Sequence, residues 1–246
     1  LVYTHTVTGG QTSAHHAHTG TGRLILHGGT ITDTATNNAT LTLATPGAAG
    51  SLGNSKSIVI DTTAPTVSSV TSSTADGSYM ATDTVSIQVN FSENVSVTGT
   101  PQLALSSGAT VNYASGSGTS TLTFTYTVAG GQNSADLDYT GTGALTLNGG
   151  TIADAATNDA TLTLASPGTA GSLGNAKNIR IDTTNPTESI TAPALDGTTY
   201  NGSSLPSNIV GSSADTGGSG VSVVEIAVQD GAGNFWGGAT FNQGSI

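Results

Sequence analysis

The side chains of this chain that are best suited to chemistry are carboxylates at predicted turns, strand ends and linkers. They are Asp61, Glu93, Asp136, Asp138, Asp154, Asp159 and Asp182. Calcium takes about six to eight oxygen ligands, which acidic side chains and loop carbonyls supply. Because side chains alternate along a strand, Asp136 and Asp138 are expected on one face, within reach of one ion. The sequence therefore predicts calcium as a cofactor, with the open alternative that Asp favours turns for conformational reasons alone.

All five histidines lie in the first 27 residues, at His5, His15, His16, His18 and His27. His5, His16 and His18 fall in the inward phase of predicted strands, and imidazoles on neighbouring strands are ligands for zinc, copper or nickel. The spacing His-His-x-His matches no established structural zinc site. Histidine also replaces Tyr or Leu as an amphipathic filler, so a transition-metal site and a packing role both stay open.

The composition disfavours several functional classes. The chain has 4 Lys and Arg residues against 15 Asp and Glu, with a formal net charge of -11, so it lacks the cationic surface that nucleic acids and anionic lipids need. It has no cysteine for a disulfide or a thiolate metal site. No apolar run approaches the roughly 18 residues of a membrane span.

No Gly-x-Ser-x-Gly motif stands in a plausible order with His and Asp, and no glycine-rich segment precedes a predicted helix. We therefore expect that the chain is not an enzyme.

An internal repeat must position these residues. Residues 122–187 match residues 1–66 without a gap at roughly two positions in three, with an offset of 121 residues. A period of this length suits one complete β-sandwich domain per repeat. We therefore divide the chain into the C-terminal half of a repeat (1–61), a complete repeat (62–182) and a partial domain of a second type (183–246).

Short alternating runs, separated by turn signals about every ten residues, predict strands throughout, and helical periodicity is absent. In the first half-repeat the predicted strands include 1–8, 23–26, 39–44 and 57–60. In the complete repeat they include 84–91, 95–97, 102–105, 111–114 and 120–128. The expected fold is all-β, with tandem immunoglobulin-like β-sandwich domains.

Residues 1–187 contain the strings DTTAPTVSSVTSSTADGSYMATDTVSIQVNFSENVSVTGTPQLAL, SADLDYTGTGALTLNGGTIADAATNDATLTL and GSLGNAKNIRIDTT. These strings resemble the tandem immunoglobulin-like repeats of very large bacterial surface proteins and adhesins. The string SGVSVVEIAVQDGAGNFWGGATFN resembles a second type of bacterial immunoglobulin-like repeat. The resemblance implies an extracellular stalk or fibre at the bacterial cell surface, often rigidified by calcium, with binding specificity held elsewhere in the molecule.

The leading hypothesis is a structural segment of an extracellular bacterial surface fibre or adhesin stalk, stiffened by short Pro-containing linkers and calcium. Its partners are then neighbouring immunoglobulin-like domains of the same or another copy of the chain, with host or surface glycans as a further candidate. Because both ends fall inside repeats, we expect a window on a longer protein, or a filament subunit completed by neighbouring chains through strand complementation. A third hypothesis is a carbohydrate- or ice-binding module that uses outward threonines of strands such as 40–45.

Overall fold

The computed structural model describes residues 2–192, 209–215, 218–229 and 235–240. The strands are β1 Val67–Ser72, β2 Gly77–Tyr79, β3 Thr84–Thr98, β4 Gln102–Ala104, β5 Thr110–Ser115, β6 Thr119–Thr127, β7 Leu145–Thr146, β8 Thr151–Ala153, β9 Ile179–Ile181, β10 Thr187–Ala192, β11 Val210–Ala214, β12 Glu225–Gln229 and β13 Phe235–Thr240. The helices within these ranges are two single turns, α1 Leu52–Ser55 and α2 Leu173–Ala176. Neither of them is long or apolar enough to cross a membrane. The structure confirms the all-β prediction.

The complete repeat is built on one antiparallel sheet with the strand order β1-β3-β6-β5-β4-β7. Strand β3 is central, because it pairs with β1 on one side and with β6 on the other. Alternation along β3 turns Val85, Ile87 and Val89 inward, where each is fully buried. The same alternation buries Leu122 and Phe124 on β6. The apolar face of this sheet therefore forms one wall of the core.

Strand β3 changes partners along its length. Its register against β6 shifts between Asn90 and Val95, and the residues beyond the shift pair with β8. The sequence predicts two separate strands here, and the structure joins them through an irregular stretch that contains Glu93. Because a register shift of this kind bends a strand, β3 reaches both the central sheet and the second half of the repeat.

The second half of the complete repeat covers the apolar face of the sheet. Its strands β7, β8 and β9 are two or three residues long, and turns and isolated bridges hold the rest. Strand β9 pairs in parallel with β2, which fastens the end of the repeat to its beginning. The buried core residues from this half are Leu137, Tyr139, Ala144, Leu145, Ile152, Leu164, Leu173, Ile179 and Ile181. One core therefore joins the two halves.

We refer to residues 1–61 as the first copy and to residues 122–182 as the second copy. The described part of the first copy contains no strand. The predictions of strands over 1–8, 23–26, 39–44 and 57–60 are therefore wrong for this structure. For residues 2–8 the physical reason is an absent neighbour: β6 begins the second copy as a strand because β3 and β5 flank it, and no described strand flanks residues 2–8. An absent neighbour does not explain 39–44, because their counterparts 160–165 form no strand in the complete repeat either.

The glycine-rich loop near the end of each copy contains a single helical turn. Ser51 caps α1 and Ser172 caps α2, each accepting a hydrogen bond at 3.2 Å from the backbone N–H three residues later. Turns of four residues are too short to carry a hydrophobic period, which is why the sequence predicts only loops here.

The last part of the chain forms two antiparallel pairs among its described residues, β10 with β11 and β12 with β13. The assignment of residues 183–246 to a partial domain of a second type stays a prediction.

Candidate functional site

Three of the carboxylates predicted to bind calcium meet where the first copy joins the complete repeat. Carboxylate oxygens of Asp61, Glu93 and Asp154 all lie within 4.8 Å of one another. Asp61 begins the linker, Glu93 lies at the register shift of β3, and Asp154 directly follows β8. In the part of the chain that the structure describes, this is the only group of three or more side chains arranged to hold a metal. We refer to it as the carboxylate cluster.

Asp154 is the most buried member of the carboxylate cluster, with 5% of its surface exposed. The backbone N–H of Asn158 donates to its Oδ1 at 2.8 Å, and the side-chain Nδ2 of Asn158 donates to its Oδ2 at 2.7 Å. Burial opposes the charge, but the hydrogen bonds from Asn158, Ala156 and Thr157 outweigh it and hold the pKa of Asp154 below its ordinary value. The cluster therefore contains a carboxylate that stays ionised.

Asn158 also holds Asp61 in place. Its Nδ2 donates a second hydrogen bond, at 3.1 Å, to the main-chain carbonyl oxygen of Asp61. The carboxylate of Asp61 accepts a hydrogen bond at 2.9 Å from the backbone N–H of Thr63, which forms a local Asx turn. One asparagine thus orders two members of the carboxylate cluster.

The linker that follows Asp61 is fastened to the complete repeat on two sides. The backbone N–H of Thr66 donates to the hydroxyl of Ser92 at 3.0 Å. The carbonyl oxygen of Pro65, a buried residue, accepts a hydrogen bond from the backbone N–H of Thr161 at 2.8 Å. The linker is therefore part of the folded surface of the complete repeat.

The three charges of the carboxylate cluster repel one another. Burial, and then the charges of Asp61 and Asp154, raises the pKa of Glu93 above its ordinary value. No Lys, Arg or His among the described residues forms an ion pair with any of the three. A hard cation relieves such repulsion, and calcium accepts carboxylate and carbonyl oxygens in flexible geometry. The carboxylate cluster could therefore hold a metal ion, and calcium as that ion stays a prediction.

Asp136 and Asp138 lie close together, as the sequence predicts, but the expected strand is wrong, because residues 136–138 belong to no strand and Leu137 and Asp138 are both buried. Asp138 is also committed to the fold. Their Oδ2 atoms are 3.3 Å and 2.9 Å from the point that a Cβ on Gly174 would occupy. Asp138 is buried, and its two carboxylate oxygens accept hydrogen bonds at 2.9 Å from the backbone N–H groups of Tyr139 and Gly168. Burial, and then the charge of Asp138, raises the pKa of Asp136. Neither residue belongs to the carboxylate cluster.

Asp182, the counterpart of Asp61 at the second linker, has different surroundings. Its carboxylate accepts hydrogen bonds from the backbone N–H groups of Thr184 and Ser219, which hold its pKa below the ordinary value. Among the described residues it is not grouped with other acidic side chains. Asp159 is exposed and also lies outside the carboxylate cluster. The two linkers are therefore not equivalent sites.

Two of the histidines make contacts that belong to the fold of the first copy. Nε2 of His15 lies 2.7 Å from the carbonyl oxygen of Gly53, and Nε2 of His18 lies 2.8 Å from that of Ala44. The hydroxyl of Tyr139, the counterpart of His18, makes the equivalent hydrogen bond in the second copy. His18 thus makes, in the first copy, the structural hydrogen bond that Tyr139 makes in the second copy.

The other three histidines are divided between a stack and a turn. The rings of His5 and His16 stack with centroids 4.9 Å apart. His27 has a φ of 44°, and its counterpart Asn148 has a φ of 47°, so both occupy the left-handed position of the same turn. Within the described ranges, no three histidines form a metal-binding group. The transition-metal site stays a prediction.

Asn158 was not predicted as a functional residue. Its signal is a spacing, Asp-x-x-x-Asn, that occurs in both copies. In the first copy, the backbone N–H and the Nδ2 of Asn37 both donate to the carboxylate of Asp33 at 2.8 Å. The Asp-Asn pair, repeated in both copies, indicates a loop in which the asparagine fixes the orientation of the aspartate carboxylate.

The fold defines an all-β protein with an internal duplication, and the candidate site is an acidic cluster at a linker. No family model matches the chain, no curated protein is similar to it, and no solved structure matches it. The resemblance to adhesin repeats therefore depends on the sequence strings alone. Cell-surface location, partners and the expected lack of enzymatic activity stay predictions.

Proposed function

We propose that the chain is a structural segment of an extracellular bacterial surface fibre or adhesin stalk, made of immunoglobulin-like sandwiches joined by short linkers and stiffened by calcium. One observation carries the proposal. The linker residue Asp61 ends one copy and supplies a carboxylate to the cluster of the next repeat, where Asn158 anchors its backbone. A joint built from both units is what a stiff tandem array requires.

The organisation of the complete repeat supports this role. Its core is shared between residues 62–121, which contain β1 and β3, and the second copy, which begins with β6, so the repeat has a core of its own. Strand β1 directly follows the first linker, and β9 directly precedes the second. Repeats of this kind extend a chain by adding domains in series.

The joint itself supports rigidity rather than free rotation. The linker is short, contains the buried Pro65, and is hydrogen-bonded to the repeat through Thr66 and Pro65. Proline restricts the backbone of its own residue and of the residue before it. Calcium bound to the carboxylate cluster would add a further cross-link between linker and repeat.

The calcium part is tested on the full chain by thermal unfolding in about 1 mM CaCl2 and in EDTA, since a ligand of the folded state raises its stability. We expect calcium to raise the melting temperature of the wild type and to have little effect on Glu93→Gln. Asp159→Asn is the matched control, because it removes one exposed carboxylate outside the cluster. An equal calcium effect in Glu93→Gln and wild type would remove the carboxylate cluster from the proposal.

The stalk part is tested by location. Antibodies raised against residues 62–182 are expected to label intact cells of the source organism, and surface proteolysis is expected to remove that label. Labelling that requires cell lysis would contradict an extracellular stalk, whatever the result with calcium.

A further inference from the structure

The first copy presents an apolar face that its counterpart buries. Tyr3, Val7, Leu52 and Ile58 are 70%, 47%, 40% and 37% exposed, whereas their counterparts Phe124, Val128, Leu173 and Ile179 are at most 2% exposed. In the second copy, this face packs against the segment that contains β1 to β5. The second copy therefore shows what kind of structure covers the face.

The open face has the local conformation of the covered one. Ser13 and Ile60 exchange backbone hydrogen bonds at 2.7 Å and 2.9 Å, and Ser134 and Ile181 exchange the equivalent pair at 2.9 Å and 2.8 Å. The turn that precedes Asn37 repeats a left-handed residue at the same position in both copies. This bridge and this turn of the first copy therefore form without a covering segment, whereas the counterparts of β6, β7 and β9 are not strands there.

Backbone groups along the same face lack partners. In the complete repeat, the N–H groups of Thr140 and Thr161 donate to carbonyls of residues 104 and 65 at 3.0 Å and 2.8 Å. Their counterparts, the N–H groups of Thr19 and Thr40, make no backbone hydrogen bond to any residue that the structure describes. Exposed backbone donors beside apolar side chains are the features of a surface that accepts strands.

Residues 62–121 and the first copy differ in their charged residues. Residues 62–121 contain Asp76, Asp83 and Glu93 but no Lys, Arg or His. In the complete repeat, Asp76 pairs with Lys177, whose Nζ lies 3.4 Å from its Oδ1. The first copy retains the counterpart of that lysine, Lys56, and carries all five histidines of the chain. In the first copy, Arg23 and Lys56 balance Asp33 and Asp61, and Lys56 is placed to repeat the ion pair with the Asp76 of a segment like 62–121.

We propose that residues 2–61 form a docking surface for a polypeptide segment of the type of residues 62–121, the first half of this repeat. The segment would supply the first copy with strands equivalent to β3 and β5, which flank β6 in the complete repeat. The first copy would then become a second closed unit. An intact second copy of the chain is not the occupant, because its own residues 62–121 are engaged with residues 122–182.

The test adds residues 62–121 in front of residue 1 of the full chain. The junction then repeats the natural one, because Leu1 is the counterpart of Leu122. We expect the amides of Thr19 and Thr40 to exchange with solvent deuterium roughly 100-fold more slowly than in the parent chain. The control carries Ile87→Asp and Val89→Asp in the added segment only, and is expected to exchange as fast as the parent.

Two results with the unsubstituted proteins would overturn the proposal, and a third result, with a variant, would do so as well. One is exchange in the extended chain that is as fast as in the parent. The other is slow exchange in the parent itself together with a dimer in sedimentation, which would make a second copy the occupant. A further variant is Leu52→Asp in the extended chain. It is expected to abolish the slowing of exchange at Thr19 and Thr40, while exchange at Val89 of the complete repeat stays unchanged. Persistence of the slowing in that variant would exclude this face as the contact.

Discussion

The side-chain amide nitrogen of Asn158 lies 3.1 Å from the main-chain carbonyl oxygen of Asp61, although 97 residues separate them in sequence. The same nitrogen donates to the carboxylate of Asp154 at 2.7 Å. One side chain thus couples the end of the first copy to a loop of the complete repeat. The position of the linker and the geometry of the carboxylate cluster depend on the same group.

Asn158→Ala is expected to lower the free energy of unfolding of the complete repeat by about 1–3 kcal/mol, because two buried or partly buried acceptors lose their donor. Hydrogen exchange of the Thr66 amide should become faster, since the linker loses an anchor. Urea unfolding and exchange measured by mass spectrometry check both effects. Asn37→Ala is the matched control, because it removes the same side chain from the first copy. Equal effects of the two substitutions would contradict the anchoring role.

Glu93→Gln should change the dependence of stability on pH. The pKa of Glu93 in the folded state is raised above its ordinary value of 4.5 by burial and by Asp61 and Asp154. The contribution of such a group to stability is full below the unfolded pKa, and is lost as the pH rises through the folded pKa. Without calcium, the melting temperature of Glu93→Gln should therefore exceed that of wild type near about pH 7 and approach it near about pH 4. Calorimetry in metal-free buffer checks this, and a difference independent of pH would contradict it.

Asp138→Ala is expected to cost about 2–4 kcal/mol of unfolding free energy, because it leaves the N–H groups of Tyr139 and Gly168 without their acceptors. Asp136→Ala is the control, since Asp136 is exposed and its raised pKa indicates no stabilising partner for its charge. Chemical denaturation of the two variants checks the difference. Equal costs would mean that Asp138 is not an anchor of this loop.

Gly150→Ala is expected to destabilise the complete repeat by about 2 kcal/mol or more, because the added Cβ would collide with the carbonyl oxygen of Thr98 at the end of β3. The counterpart substitution Gly29→Ala would meet only the carbonyl oxygen of Leu26, at 3.2 Å, and is expected to cost little. In a chain extended by residues 62–121, Gly29→Ala should become costly. Thermal unfolding of the parent chain, of Gly150→Ala and Gly29→Ala in it, and of the extended chain with and without Gly29→Ala checks this reversal.

Much of the complete repeat could be predicted from its sequence. The strands β4, β5 and β6 lie within two residues of the predicted bounds, because alternating apolar residues and turn signals define them locally. The first copy could not be predicted in this way. Its alternation records which side chains need burial, and it contains no information about whether a neighbouring strand is available to pair with them.

The candidate site shows the same division. Asp61, Glu93 and Asp154 were predicted as calcium ligands, together with four other carboxylates from which the sequence could not separate them. Their convergence results from the register shift in β3 and the pairing of β3 with β8, which are long-range features. Asp138 was placed beside Asp136 correctly, but its hydrogen bonds to the loop at Gly168 depend on a turn that alternation does not describe.

The parallel pairing of β9 with β2 sets how the end of the complete repeat would bear load in the proposed stalk. Ile179 and Ile181 of β9 stand opposite Gly77 and Tyr79, and the chain leaves the repeat directly after β9. In the proposed stalk, a pull along the axis of β9 would load the hydrogen bonds of this pair side by side, so that they would have to break together. Resistance to tension at this end of the repeat would then come from strand direction.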